Sequence, residues 1–114
     1  MGVVHLSNLD DFHNTLRTNK LVVVDFYSDW CGPCRAMHPI LDNLSTKHTD
    51  VKFVSINVDY PVFKELIQQF KINAIPTLIF FREQKEVSRH IGLTSVKVID
   101  EWIEVCKYAG GSND

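Results

Sequence analysis

The stretch LVVVDFY, residues 21–27, constrains the fold of this chain more than any other part of its sequence. Its β-branched and aromatic residues favour a strand, and the nearly continuous apolar run indicates a strand that is covered on both faces. Asp25 is the one charged residue within it. Such a strand lies inside a sheet with helices packed on both sides, so we predict a fold of the α/β class.

Strand and helix patterns alternate along the rest of the chain in the order β-α-β-α-β-α-β-β-α. The last two strands are separated by a polar turn that is too short for a crossover, so they are predicted to be antiparallel. This order predicts a mixed sheet of about five strands flanked by four helices, with Ser7 and Thr94 as caps of the first and last helices. The predicted strands read VVHL, LVVVDFY, KFVSINV, TLIFF and EVSRHIG.

Size and charge limit the domain organisation and the partners. With 114 residues and 45% hydrophobic content, the chain can build one compact core, so we assign residues 1–109 to a single domain and residues 110–114 to a flexible tail. A net charge of -2 does not indicate nucleic acid or an anionic membrane as a partner. No apolar run reaches the roughly 20 residues that span a bilayer, and no secretory signal pattern opens the chain. We therefore expect a cytoplasmic monomer.

Two of the three cysteines lie where the central strand gives way to a helix, in the segment Trp30-Cys31-Gly32-Pro33-Cys34. A thiol at a helix N-terminus is shifted toward the reactive thiolate by the helix dipole and the unpaired backbone N–H groups. Cys31 can therefore attack, and Cys34, one turn later, can resolve. The short and stiff Gly-Pro pair holds both sulfurs within bonding reach. The motif predicts a pair that cycles between dithiol and disulfide.

Other interpretations of these residues stay open at this point. A Cys-x-x-Cys pair with His38 can form part of a zinc site, but no second ligand pair follows, so no metal is predicted. The aspartate of the central strand either faces solvent or is desolvated, with a raised pKa that suits proton exchange with Cys34. Cys106 lies on the apolar stripe of the last helix, either as a buried hydrophobe or as a site of regulatory oxidation. The histidines are predicted to lie at the surface; they are His5, His13, His38, His48 and His90.

Three further segments accompany the cysteine motif: Pro39, the sequence Ile75-Pro76-Thr77 before LIFF, and Gly92 ahead of the last helix. Together with WCGPC after VVVDFY, they resemble the thioredoxin family over nearly the whole chain. The resemblance implies the thioredoxin fold and the reduction of protein disulfides through a mixed-disulfide intermediate, which maintains cell redox homeostasis. It also implies that no cofactor is bound and that a flavin-containing thioredoxin reductase resupplies electrons from NADPH. The expected partners are that reductase and proteins that carry disulfides.

The resemblance also assigns roles to individual residues. Cys31 corresponds to the attacking thiolate, Cys34 to the resolving thiol, and Asp25 to a buried carboxylate that exchanges a proton with the resolving thiol. Pro76 is expected to follow a cis bond that leaves the backbone of Ile75 free to pair with an extended substrate segment. The implied tuning residues are Trp30, Gly32, Pro33 and Pro76, and the implied substrate-docking residues are Trp30, Ile75, Pro76, Ile91 and Gly92.

Two positions depart from the family pattern. Many thioredoxins place a lysine beside the buried aspartate, and the matching position here is Ser55, so the surroundings of Asp25 are expected to differ. The hairpin turn, residues 82–86, lacks the usual glycine, which predicts a changed turn geometry. Two other functions stay as hypotheses. One is a thiol oxidase or isomerase on the same fold, which Gly-Pro between the cysteines disfavours, and the other is a binding module with incidental thiols.

Overall fold

The computed structural model describes residues 2–108, in which five strands and four α-helices alternate in the predicted order. The predicted tail at 110–114 lies outside the described residues. No helix among residues 2–108 is long and apolar enough to cross a membrane. A short 3-10 helix, Pro61–Phe63, precedes the third α-helix. The strands are β1 (Val4–His5), β2 (Leu21–Tyr27), β3 (Lys52–Asn57), β4 (Thr77–Arg82) and β5 (Lys85–Ile91), and the helices are α1 (Leu9–Thr18), α2 (Gly32–Lys47), α3 (Lys64–Gln69) and α4 (Val96–Tyr108).

The strands form one mixed sheet in the order β1-β3-β2-β4-β5, with β2 at its centre. β1 and β2 both run parallel to β3, whereas β4 is antiparallel to both β2 and β5. All seven residues of β2 are buried, because the strand has neighbours on both edges and helices on both faces. The α/β class and the mixed sheet predicted from the sequence are confirmed.

Alternate side chains of the central strand enter two separate cores. Val22, Val24 and Phe26 pack in a cluster with buried residues of α1 and α3. Val23 packs on the opposite face, in a cluster with buried residues of α2 and α4. Since successive side chains of a strand point to opposite faces, Asp25 lies on the same side as Val23. The fold therefore places the charged residue of β2 under the helix that begins at the cysteine pair.

Both predicted helix caps are wrong by one residue. The side chain of Asn8, and not that of Ser7, accepts the backbone N–H of Asp11 at 2.8 Å and caps α1. At the start of α4, the hydroxyl of Ser95, and not that of Thr94, accepts the N–H of Val98 at 3.2 Å. In both places two adjacent residues are good capping types, so propensity alone could not choose between them.

The prediction that all histidines lie at the surface is wrong for His48. This residue follows the last turn of α2 and is only 1% exposed. Its Nε2 lies 2.6 Å from a carboxylate oxygen of Asp100 on α4, and Lys47 Nζ lies 2.6 Å from the other oxygen of the same carboxylate. Glu104 lies 3.7 Å from Nδ1 of His48. These partners come from a helix about fifty residues later, so the local sequence could not show that the ring is buried.

The turn between β4 and β5 takes a conformation that glycine or asparagine normally supplies. Glu83 and Gln84 both have positive φ angles, of 51° and 71°. Such left-handed residues match the right-handed twist of the strands in a two-residue hairpin. The hairpin therefore forms without glycine, with two ordinary side chains held in a disfavoured backbone region.

Candidate active site

The cysteine pair lies at the N-terminus of α2, with Cys31 as the capping residue and Gly32 and Pro33 as the first helical residues. The sulfur of Cys31 accepts the backbone N–H of Cys34 at 3.2 Å. The two sulfurs form a disulfide, and their Cα atoms lie 5.2 Å apart, within the usual range for such a bond. When the disulfide is reduced, the same N–H and the helix N-terminus favour a thiolate at Cys31.

The two sulfurs differ in access. Cys31 is 6% exposed at the edge of the protein, whereas Cys34 is fully buried. Gly32 and Pro33, between them, are exposed. A second molecule can therefore reach Cys31 but not Cys34, so the arrangement suits an attack at Cys31 followed by an internal attack by Cys34.

Trp30 stands out from the protein beside the disulfide, with 73% of its surface exposed. Its ring Nε1–H donates a hydrogen bond of 3.0 Å to Asp59, two residues after β3. The backbone N–H of Asp59 in turn donates to the side chain of Asn57 at 2.9 Å. The ring orientation is thus fixed by a carboxylate that sequence reasoning did not single out, since nothing in the sequence near Asp59 links it to Trp30.

The structure brings part of the predicted docking surface together. The peptide bond between Ile75 and Pro76 is cis, and the carbonyl oxygen of Ile75 lies 4.0 Å from the sulfur of Cys31. Gly92, at a φ of 92°, donates its N–H to the carbonyl of Pro76 at 2.8 Å. Ile91 is 58% exposed, so it is not a core residue. Pro76 itself is buried, so it positions the backbone of Ile75 and offers little contact area to a substrate.

Asp25 is buried under α2, with only 1% of its surface exposed. Neither carboxylate oxygen has a hydrogen-bond partner among the described residues. Burial raises the pKa of this carboxyl from 3.8 to about 7, because the charged form is desolvated. In the sheet it pairs with Ser55 on β3 and Leu78 on β4, so neither strand neighbour supplies a positive charge. Of the two alternatives that the sequence left open for Asp25, the structure shows the desolvated carboxyl.

A polar cavity of about 90 Å³ opens beside the Asp25 carboxylate. Nε2 of His38 lies 3.8 Å from the carboxylate, and Nδ1 of His5 is hydrogen-bonded to the hydroxyl of Ser55. Burial, followed by the nearby His5, lowers the pKa of His38. The sequence analysis considered His38 only as a possible zinc ligand, because it lies on the same helical face as Cys34, and it did not link His5 or His38 to Asp25. The cavity is lined by Val3, His5, Asp25, His38, Leu41, Asp42 and Ser55.

The third cysteine, Cys106, lies outside this site. It is 2% exposed in the core between the sheet and α4, and burial raises the pKa of its thiol to about 11, so it behaves as a small buried hydrophobe.

A group of possible metal ligands also lies outside this site. His48, Asp100 and Glu104 have ligand atoms close enough to hold a cation. Lys47 already binds Asp100, and Lys107 Nζ lies 3.9 Å from Glu104, so two ammonium groups balance these acids.

Known proteins resemble this chain in sequence and in fold. A family model described as Thioredoxin matches residues 3–105. The thioredoxin of Mycoplasmoides gallisepticum is 36% identical over 100 residues, which cover 88% of this chain and 98% of that protein. A solved mutant thioredoxin from Halobacterium salinarum has a TM-score of 0.84 and 26% identity, covering 98% of this chain and 95% of the other. The oxidised mitochondrial thioredoxin 3 of Saccharomyces cerevisiae has a TM-score of 0.80 and 30% identity, covering 90% and 94%.

Proposed function

Because this chain belongs to the thioredoxin family and has the thioredoxin fold, we propose that it reduces disulfides of many other proteins and so maintains cell redox homeostasis. Membership and the bonded Cys31–Cys34 pair make it a protein-disulfide oxidoreductase. The observation that most supports a reductase of other proteins is the unequal access of the two sulfurs. Cys31 reaches the surface at the N-terminus of α2, whereas Cys34 is buried in the interior.

The reaction begins with the reduced protein. The thiolate of Cys31 attacks one sulfur of the substrate disulfide, forms a mixed disulfide and releases the other substrate sulfur as a thiolate, which takes a proton. Cys34 then loses its proton and attacks the sulfur of Cys31. The second substrate thiolate leaves, and the Cys31–Cys34 disulfide forms. The substrate gains two electrons and two protons, and the dithiol of this chain loses them.

In this proposal Asp25 accepts the proton of Cys34, directly or through one water. A carboxyl whose pKa is about 7 is partly ionised near neutral pH, so it can both take up and release a proton there. The position of Asp25 on the α2 side of the central strand supports the role, because α2 begins at the cysteine pair. A carboxyl with an ordinary pKa would be too weak a base for a thiol.

The proposed docking surface surrounds the accessible sulfur. The exposed Trp30 and Ile91 supply apolar contact area. Ile75 lies half-buried against Cys31, where its carbonyl can accept a hydrogen bond from an extended substrate segment. Pro76 and Gly92 hold this backbone in place through their shared hydrogen bond. Gly32 and Pro33 set the spacing of the two sulfurs.

Thioredoxins work without a bound cofactor, so the electrons must come from another protein. We propose that a flavin-containing thioredoxin reductase delivers them from NADPH and restores the dithiol after each turnover. We also propose that the chain acts as a cytoplasmic monomer with a single domain over residues 1–109. The mitochondrial relative shows that this fold also serves in organelles, so location is best tested by imaging the tagged full chain.

A coupled assay tests the proposed function. NADPH, thioredoxin reductase and a disulfide-containing protein such as insulin are mixed with the wild type or with Cys31→Ser, and NADPH consumption is followed. We expect the Cys31→Ser variant to lose turnover, because no nucleophile reaches the substrate. Cys106→Ala is the matched control, since its sulfur is buried away from the site and turnover should persist. Equal turnover by Cys31→Ser and the wild type would reject the reductase and favour a binding module.

A further inference from the structure

The buried carboxyl raises a problem of proton transfer. If Asp25 takes a proton from Cys34, it must return that proton to solvent before it can act again. Its side chain is 1% exposed, and neither oxygen is hydrogen-bonded to a described residue that could pass a proton on. Ser55, which pairs with Asp25 in the sheet, is hydrogen-bonded to His5 and not to the carboxylate. The carboxyl therefore needs another group that connects it to water.

His38 on α2 spans the distance between this carboxyl and the surface. Its Nε2 is buried, has no hydrogen-bond partner among the described residues, and lies 3.8 Å from Oδ2 of Asp25. The same side chain is 35% exposed, so part of it reaches solvent. An imidazole can accept a proton at one nitrogen and release one from the other. The ring is thus placed to join the buried carboxyl to water.

The surroundings hold the ring in this position. The ring of Tyr27 packs edge-to-face against His38, with a centroid distance of 5.0 Å, and His5 lies at 6.5 Å on another side. The cavity of about 90 Å³ beside the two groups is lined by both polar and apolar side chains and is large enough for a water molecule. One such water can span the 3.8 Å between Asp25 and His38, which is long for a direct hydrogen bond.

We propose that His38 carries the proton of Asp25 to and from solvent, so that it acts as a positioning residue for the resolving step of Cys34. This rests on the proposed role of Asp25. The proton released by Cys34 first binds the carboxylate of Asp25. It then passes to Nε2 of His38, directly or through one water, while Nδ1 loses a proton to water. No electron moves in this step. The ring ends neutral with its proton on Nε2, and the reverse transfer, when Cys34 is protonated again, restores the first tautomer.

Burial and the titratable groups that face His38 together keep its ring neutral, so that it can accept a proton. On its own helix lies Asp42, and from β2 and the loop after it come Asp25, Tyr27 and Asp29. His5 approaches from β1. Burial and His5 lower the pKa of His38, whereas Asp42 and Asp29 raise it by a smaller amount. The ring is therefore mostly neutral near pH 7, and the positive charge exists only in transit beside the carboxylate.

The test isolates the step at Cys34. Reduced protein is mixed with excess nitrobenzoate disulfide, whose released thiolate is yellow, and the second thiolate release reports the attack by Cys34 independently of reagent concentration. The pH is set about one unit below the raised pKa of Asp25, so that most molecules must first lose the carboxyl proton. His38→Ala and His38→Gln are compared with the wild type. The control is His13→Ala, an exposed histidine on α1.

We expect the wild type and His13→Ala to release the second thiolate in one phase that does not depend on buffer concentration. In both His38 variants a slow phase should appear, about tenfold slower. Added imidazole should accelerate that phase in His38→Ala, where the removed ring leaves space, and much less in His38→Gln. Wild-type kinetics in His38→Ala, or a slowing that imidazole does not change, would overturn the proposal.

Asp25→Asn separates the role of Asp25 from that of His38. A slow second release in Asp25→Asn that ignores imidazole, together with normal kinetics in His38→Ala, would leave the role of Asp25 intact and reject only His38. Wild-type kinetics in Asp25→Asn would reject both roles. The function as a reductase is decided independently by the coupled assay with Cys31→Ser.

Discussion

Two histidines each face an aspartate, His38 within α2 and His48 directly after its last turn, and the two pairs behave in opposite ways. At the far end of the helix, Nε2 of His48 lies 2.6 Å from Asp100, and Lys47 binds the other oxygen of that carboxylate. Near the disulfide, Nε2 of His38 lies 3.8 Å from Asp25, and neither oxygen of Asp25 has a hydrogen-bond partner among the described residues. The residue types are the same, but the geometry and the additional cation differ.

The two carboxyl groups, of Asp100 and Asp25, differ in pKa as a consequence. The hydrogen bonds from Lys47 and then from His48 lower the pKa of Asp100 below its usual 3.8, whereas burial raises the pKa of Asp25 to about 7. The first carboxylate ties α2 to α4 and is ionised near neutral pH, because its pKa lies below 3.8. The second pair destabilises the fold when it ionises, but it supplies a carboxyl that titrates near neutral pH. A partner within hydrogen-bond distance therefore decides whether such a pair is structural or chemical.

The largest expected effect is the pH dependence of stability that the unpaired carboxyl of Asp25 causes. Between pH 4 and 7 the folded protein holds a proton on Asp25 that the unfolded chain has already released, so stability falls as the pH rises. The rise in pKa from 3.8 to about 7 corresponds to about 4 kcal/mol. The Asp25→Asn variant does not lose stability in this way, because its side chain does not ionise. Urea unfolding of the oxidised proteins at several pH values should therefore show that, between pH 4 and pH 8, the free energy of unfolding of Asp25→Asn rises by about 4 kcal/mol relative to that of the wild type. Parallel pH curves for the two proteins would contradict the assignment.

The second prediction concerns a variant that places an ammonium group beside Asp25, as Lys47 does beside Asp100. Ser55 pairs with Asp25 in the sheet and borders the same cavity, so Ser55→Lys places an ammonium group beside the carboxylate. We expect the pKa of Asp25 to fall by about 1–3 units, because an opposite charge favours the ionised form. A titration of the Asp25 carboxyl carbon by NMR measures this. Ser55→Met has a similar length without the charge, and an equal fall in that variant would show that packing, not charge, moved the pKa.

We expect the smallest effect when the carboxylate of Asp100, which is paired with His48 and Lys47, is removed. In Asp100→Ala the ring nitrogen of the buried His48 loses its partner, so the free energy of unfolding should fall by about 2 kcal/mol near pH 7. The difference from the wild type should be full above the ordinary carboxyl pKa of 3.8 and shrink as the pH drops below it. Asp50→Ala removes an exposed carboxylate that pairs with Lys107 between the same regions, and it should change stability by about 0.5 kcal/mol. Equal losses in the two variants would contradict a larger contribution from the carboxylate that contacts the buried histidine.

Local patterns were sufficient for the fold and for the cysteine chemistry. The unbroken apolar run at 21–27 predicted a strand buried on both faces, and β2 is buried at every position. The short turn after β4 predicted the antiparallel pair, and the motif at Cys31 and Cys34 predicted two sulfurs within bonding distance. Each of these features depends on residues within a few positions of one another, so the sequence alone could show them.

The parts that failed depend on contacts between distant residues. His48 was placed at the surface because its partner Asp100 lies 52 residues later. His5 and His38 were not linked to Asp25, since β1, β2 and α2 meet at the cavity only after the sheet has formed. The bond from Trp30 to Asp59 also joins separate strand ends. Propensity can place an element along the chain, but it cannot show which side chains meet across the sheet.

The burial of Cys106 has a practical consequence for finding the proteins on which this chain acts. The Cys106 side chain is 2% exposed and its thiol stays protonated at neutral pH, so it will neither attack a foreign disulfide nor open a mixed disulfide formed at Cys31. A Cys34→Ser variant therefore keeps one accessible sulfur and no internal thiol to free it. Such a protein works as a covalent bait from which each captured partner can be eluted by a reducing agent and identified by mass spectrometry.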